Sequence, residues 1–278
     1  MDHQEKKSFF ELLEPKSALI VGVITGFLAI CTIGFIILSA LALTGGLNCS
    51  AKAAKDNPSL TATGAQQQTI TQAPKTDRPK VELFIMTYCP YGLQMQKAYY
   101  PVYELLGKTA DFEVKFVDYI MHEKLEIDEN TRQYCIQKEQ SAKYLAYMKC
   151  FTAKDDYKTC LKQAGVNESQ MNKCVTGADK EFGITNAYND QSSWLSGRYP
   201  IYPVHEDLNE VYGVLGSPTL VINGVQIDVS RSPEAVKQAV CAAYNNAPDE
   251  CNKVLDTNSM SPGFGTAAAS SDIDASCG

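Results

Sequence analysis

The chain has 278 residues, with 25 Lys and Arg against 32 Asp and Glu, a net charge of −7 and ten cysteines. An acidic chain without clustered Lys and Arg excludes a nucleic-acid surface. Three scattered histidines and the lack of any C-x-x-C pair exclude a recognisable metal site, and no glycine-rich phosphate loop is present, so neither a metal nor another cofactor is expected.

Residues 1–17 are short, polar and mixed in charge, and read as a cytoplasmic segment. Ala18 to Leu43 contains no charged residue and, at 1.5 Å per residue, is long enough to cross a bilayer as one transmembrane anchor in contact with membrane lipid. Ala40-Leu41-Ala42 resembles a signal-peptidase site, but signal h-regions span about 7 to 15 residues, so the segment reads as uncleaved. Residues 44–79 are rich in Ala, Thr, Gln, Gly and Lys and too poor in large apolar side chains to offset chain entropy, which predicts a flexible linker.

The folded part is predicted over residues 80–251. Val81 to Met86 is an apolar strand that meets Cys89-Pro90, after which Gly92 to Gly107 has helical periodicity. A cysteine at the junction faces unpaired backbone N–H groups and the positive end of the helix dipole, which favour thiolate. Pro90 suits the first turn. The residue three positions after Cys89, where a C-x-x-C pair would place its second sulfur, is Gly92. Glu82 reads as a solvated edge residue.

Phe112 to Tyr119 is a second strand, so strand, helix and strand form a right-handed parallel βαβ unit. Residues 124–185 form a charged helical insertion with helices over about 128–150, 155–164 and 169–182. Residues 189–203 read as a loop carrying Trp194, Tyr199 and Tyr202. Thr219 to Ile222 and Val225 to Val229 form a hairpin about Asn223-Gly224, and Ser232-Pro233 opens a last helix to about Tyr244. The Ser-, Ala- and Gly-rich residues 252–278 read as a disordered tail.

With Cys89 reactive, six cysteines remain in the folded part: Cys135, Cys150, Cys160, Cys174, Cys241 and Cys251. An even set without metal spacing fits three structural disulfides and an oxidising, extracytoplasmic compartment. Cys241 and Cys251 are placed to close the last helix onto the following turn. Pairing Cys135 with Cys174 and Cys150 with Cys160 would staple the insertion, but four cysteines allow three pairings and sequence selects none.

Together, the Cys89-Pro90-Tyr91-Gly92 junction, the helical insertion, Gly216-Ser217-Pro218-Thr219, the hairpin and the last helix resemble the thioredoxin-like α/β fold with an inserted helical subdomain, as in DsbA-like proteins. The resemblance implies a cis Pro218 beside Cys89, with Ser217 pairing to an extended substrate chain. His122, Glu126, Asn130 and Cys135 also resemble part of the signature of the gamma-interferon-inducible lysosomal thiol reductase (GILT) family, whose two earlier cysteines and glycine are missing here. His122 is a candidate for tuning the sulfur, although a residue at a strand's end more often satisfies a local backbone group; Glu126 and Asn130 are expected to stabilise the insertion.

Two functions follow. One is a membrane-anchored, extracytoplasmic thiol–disulfide oxidoreductase or isomerase acting through a single nucleophile, Cys89, with Tyr88, Pro90, Tyr91, Ser217 and Pro218 shaping the substrate site. Its partners would be protein or peptide thiols and disulfides. Release would come from a second substrate thiol, a small-thiol reductant or a distant cysteine. The other is a catalytically inactive thioredoxin-fold module that binds peptides.

Overall fold

A computed structural model describes residues 72–266. The expected cytoplasmic segment, transmembrane anchor and most of the linker lie outside the described residues. Among the described residues no helix is long and apolar enough to cross a membrane.

The sheet has the order β2-β1-β3-β4, from β1 Lys80–Ile85, β2 Asp111–Phe116, β3 Thr219–Ile222 and β4 Val225–Gln226. β1 runs parallel to β2 and antiparallel to β3, with Leu83 opposite Val114 and Leu220. Helix α1, Pro90–Leu106, makes the crossover. β1 is central and covered on both faces, which explains why apolar residues point to both sides of it, interrupted by Glu82. Val81, Leu83 and Ile85 face the main core, and Phe84 and Met86 face a smaller cluster with Val117, Val214 and Val221. The two-residue alternation thus divides one strand between two cores.

Glu82 corrects its expectation: it is fully buried on this central strand, 2.8 Å from Lys80 Nζ. A lysine that snorkels from the strand's first position supplies the countercharge at the rim.

The insertion comprises α2 Glu123–Glu139, α3 Ser141–Lys154, α4 Tyr157–Gln163, α5 Glu168–Phe182 and α6 Ile184–Asn189. The single helix expected over 128–150 is therefore two, broken at Gln140. The Gln140 side chain explains the break, because it donates to Asn167 O and accepts from Asn167 N, which ties the joint to the start of α5. Disulfides Cys135–Cys174 and Cys150–Cys160 join α2 to α5 and α3 to α4. Inside the package, buried Glu129 accepts from Gln133, Tyr147 and Arg132, and burial raises its pKa against the pull of Arg132.

A further helix, α7 Glu206–Tyr212, was not expected; α8 Pro233–Ala242 is capped by Ser232 Oγ, which accepts from Ala235 N. Cys241–Cys251 closes the turn after α8. Asn223 and Gly224 both take positive φ, as a two-residue hairpin turn requires. The segment after 252, expected to be structureless, instead packs along α1 through residue 265: Lys97, almost wholly buried, donates to Ser261 O and Gly263 O. The mixed sheet, helices and disulfides fit a thioredoxin-like fold.

Candidate active site

The junction is built by the sequence that connects β1 to α1. β1 ends at Ile85, the chain turns through Met86, Thr87 and Tyr88, and Cys89 caps α1 with Gly92 N donating to its sulfur at 3.4 Å. The amide and the helix dipole both stabilise negative charge that develops on this sulfur. Across from it, Ser217-Pro218 is a cis peptide, and the Ser217 carbonyl oxygen lies 3.5 Å from Cys89 Sγ. Ser217 Oγ accepts from Met86 N at 2.9 Å and so joins the β3 entry to the loop. The structure thus brings Cys89, Ser217 and Pro218 together.

The expectation of a presented, unpartnered thiol is corrected. Cys89 has no exposed surface and takes part in a disulfide. The other six cysteines of the described residues pair among themselves.

Gly92 has a packing reason. A Cβ there would meet Ser217 Oγ at 2.6 Å and Met86 O at 2.9 Å. The close approach of α1 to the cis-proline loop excludes a side chain at the position where a C-x-x-C pair would carry its second sulfur.

Tyr88 also departs from the expected rim. It is half-buried, edge-on to Phe151 of the insertion and to Phe264, and burial raises its phenol pKa. Tyr91 lies under the Arg231 guanidinium, 5.3 Å from ring centroid to charge, and Pro90 is exposed. Val211, near the end of α7, and Leu215, in the loop before the cis proline, are 74% and 83% exposed, an apolar edge leading to the site.

The larger surprise is what holds the loop. Glu126 Oε1 accepts from Tyr88 N at 3.1 Å, and Oε2 accepts from Met121 N and His122 N. Asn130 Oδ1 accepts from Thr87 N and Thr87 Oγ1. Both residues are fully buried, one turn apart on α2, and grip the two backbone positions before Cys89. Sequence reasoning assigned them to the insertion; their four-residue spacing gave one helix face but not its target.

His122 Nδ1 lies 2.9 Å from Glu126 Oε1, and this hydrogen bond raises the imidazole pKa. His122 therefore acts on the loop through Glu126. His205, by contrast, accepts from Phe116 N of the edge strand β2 at Nδ1, and burial, with Lys115 nearby, lowers its pKa to about 3.

No family model matches the chain, and no curated protein matches it. Similar solved structures include oxidised DsbA of Mycobacterium tuberculosis, at 14% identity and TM-score 0.44, covering 65% of this chain and 91% of that one. MdbA, a thiol–disulfide oxidoreductase of Actinomyces oris, is similar at 10% identity and TM-score 0.41 over 62% and 84%. BdbD of Bacillus subtilis is similar at 16% identity and TM-score 0.40 over 61% and 89%. These structural neighbours are DsbA-like thioredoxin-fold proteins at low identity.

Proposed function

We propose that this protein is a membrane-anchored, extracytoplasmic thiol–disulfide oxidoreductase or isomerase whose substrate-facing sulfur is Cys89. The observation that carries the reading is the placement of one sulfur at the N-cap of α1, 3.4 Å from an oriented amide and 3.5 Å from the carbonyl before a cis proline. An amide aimed at the sulfur stabilises it as attacking or leaving thiolate. The disulfides support an oxidising compartment. Anchoring rests on the apolar run 18–43. Since position 92 offers no sulfur, exchange proceeds through Cys89 alone at the junction. Substrates are peptide or protein thiols and disulfides laid along Ser217 and the apolar edge at Leu215, with a small thiol as a candidate reductant.

A peptide-binding module without turnover is the second reading, favoured by the complete burial of Cys89. Refolding of a scrambled, disulfide-bonded substrate separates the two. Catalysis by the full chain and its loss in Cys89→Ser support the enzyme; no catalysis despite peptide binding supports the module.

A further inference from the structure

After the Cys241–Cys251 disulfide the chain returns along α1 as a strap, residues 260–265. Pro90, Gln94 and Lys97 lie four and three residues apart, on one face of α1, and all three hold it. Gln94 Nε2 donates to Met260 O at 2.6 Å, and Lys97 Nζ donates to Ser261 O, Ser261 Oγ and Gly263 O. Pro90 O accepts from Gly263 N at 2.9 Å. At the strap's end Gly265 N donates to Thr152 O, in the last turn of α3, where helical carbonyls need outside donors.

These contacts read a main chain and one aromatic side chain. The Phe264 ring meets Tyr88 and Phe151 edge-on, with centroids 5.8 and 5.4 Å away. Gln94 and Lys97 are each 1% exposed, and among the described residues every hydrogen-bond acceptor of the Lys97 ammonium is a strap oxygen. A buried ammonium is costly unless oxygens surround it, so this face of α1 is built to receive the carbonyls of another segment. The receiving groups adjoin the junction: Pro90 follows Cys89, and Tyr88 precedes it.

The strap is attached in a way that lets it leave. It belongs to no strand of the sheet, and it follows the Cys241–Cys251 cross-link. Its hydrogen bonds exchange for bonds to water at small net cost, and segments held by such contacts open without global unfolding.

We infer that the channel between α1 and the end of α3 is a peptide-binding site separate from the Ser217 edge, filled by residues 260–265 as an exchangeable intramolecular ligand. Its external ligand is a peptide that offers main-chain carbonyls to Gln94 and Lys97 and an aromatic ring to Tyr88 and Phe151. The tethered strap competes at a high effective concentration, so the site is masked until the strap is released. The inference holds for either reading of Cys89, because it concerns binding and not exchange.

The probe is a fluorescein-labelled synthetic peptide, Ser-Met-Ser-Pro-Gly-Phe-Gly, which copies the strap and contains no cysteine. Strap release is set by Gly263→Pro with Phe264→Ser in the full chain: proline cannot adopt the φ of +72° at Gly263 or donate to Pro90 O, and serine removes the ring. Fluorescence anisotropy should show the probe binding this variant at least tenfold more tightly than the wild type. Adding Lys97→Met, or replacing the probe's Phe by Ser, should weaken that binding at least tenfold. No binding to a variant with native circular dichroism, equal binding to both chains, or binding indifferent to Lys97 and to the ring overturns the inference. Hydrogen exchange on the wild type decides independently of the variant's folding. The Gly263 and Gly265 amides should exchange at least a hundredfold faster than the Leu83 amide of β1, and exchange at the Leu83 rate overturns the inference. Because the probe has no sulfur to exchange, its failure leaves the refolding assay of Cys89 standing, and a failed refolding assay leaves this site standing.

Discussion

The helical insertion and the strand–helix junction use the same chemical groups for different ends. In the insertion, disulfides join whole helices, and the buried carboxylate of Glu129 is satisfied by side chains of its own subdomain. At the junction, the buried side chains of Glu126 and Asn130 are spent on backbone amides of the loop before Cys89, and the sulfur is capped by an amide rather than by packing alone. One region is cross-linked to persist. The other is held from outside so that a single atom stays in place. Both sets of carboxyl and amide groups come from α2, so this helix is at once the wall of the insertion and the clamp of the site.

The comparison predicts that substitutions in the insertion change stability and those at the junction change reactivity. The largest effect belongs to Cys89→Ser, which should lower disulfide exchange to background while circular dichroism stays native. Retained exchange would erase the difference between the regions. Replacing Cys135 and Cys174 by serine opens a loop with sequence separation 39 and should cost about 4 kcal/mol in urea unfolding, by loss of loop-closure entropy. Exchange measured well below the new midpoint should be unaffected.

The two histidines sharpen the contrast through pH. His205 has a folded pKa depressed to about 3, so the unfolded chain binds the proton first, and stability present above about 6.5 is lost as pH falls. The loss should reach about 3 kcal/mol by pH 4, read from urea midpoints and absent in His205→Gln. His122 has the opposite sign. Its raised pKa gives stability that is complete below about 6.5 and lost as pH rises through the folded value. In nuclear magnetic resonance titration, Glu126→Gln should lower the His122 pKa, and exchange at Cys89 should slow as the Tyr88 amide loses its carboxylate.

Gly92→Cys is the sharpest structural test. Its Cβ meets Met86 O at 2.9 Å, so the variant should lose about 2 kcal/mol from overpacking and should not behave as a C-x-x-C enzyme. A stable disulfide between Cys89 and the introduced sulfur would show that the junction accommodates what its packing excludes. The smallest effect is that of Leu215→Ser on the exposed edge, which should leave stability within about 0.5 kcal/mol and weaken peptide exchange several-fold.

Much of the framework was legible from local chemistry. The apolar run of β1, Cys89-Pro90 at a helix start, the Asn223-Gly224 turn and the Ser232 cap are signals carried by a few adjacent residues, and the structure has each element in place. The break at Gln140 was hidden because its cause is Asn167, on another helix. The strap was hidden for a related reason. Its serines and glycines carry no hydrophobic pattern, and its order comes from main-chain carbonyls and amides answered by Lys97, Gln94 and Pro90.

The amino-acid sequence by itself determined that a cysteine sits where a strand meets a helix, that position 92 has none, and that cysteines enough for three further cross-links lie in the folded part. Only the tertiary structure decided which sulfurs meet, that Cys89 is enclosed and already bonded, that Glu126 and Asn130 act on the loop before it, and why Gly92 has no side chain. The division is physical. Periodicity and turn chemistry are set between near neighbours, whereas burial, disulfide pairing and the distance of a Cβ from Met86 O depend on segments that folding brings together.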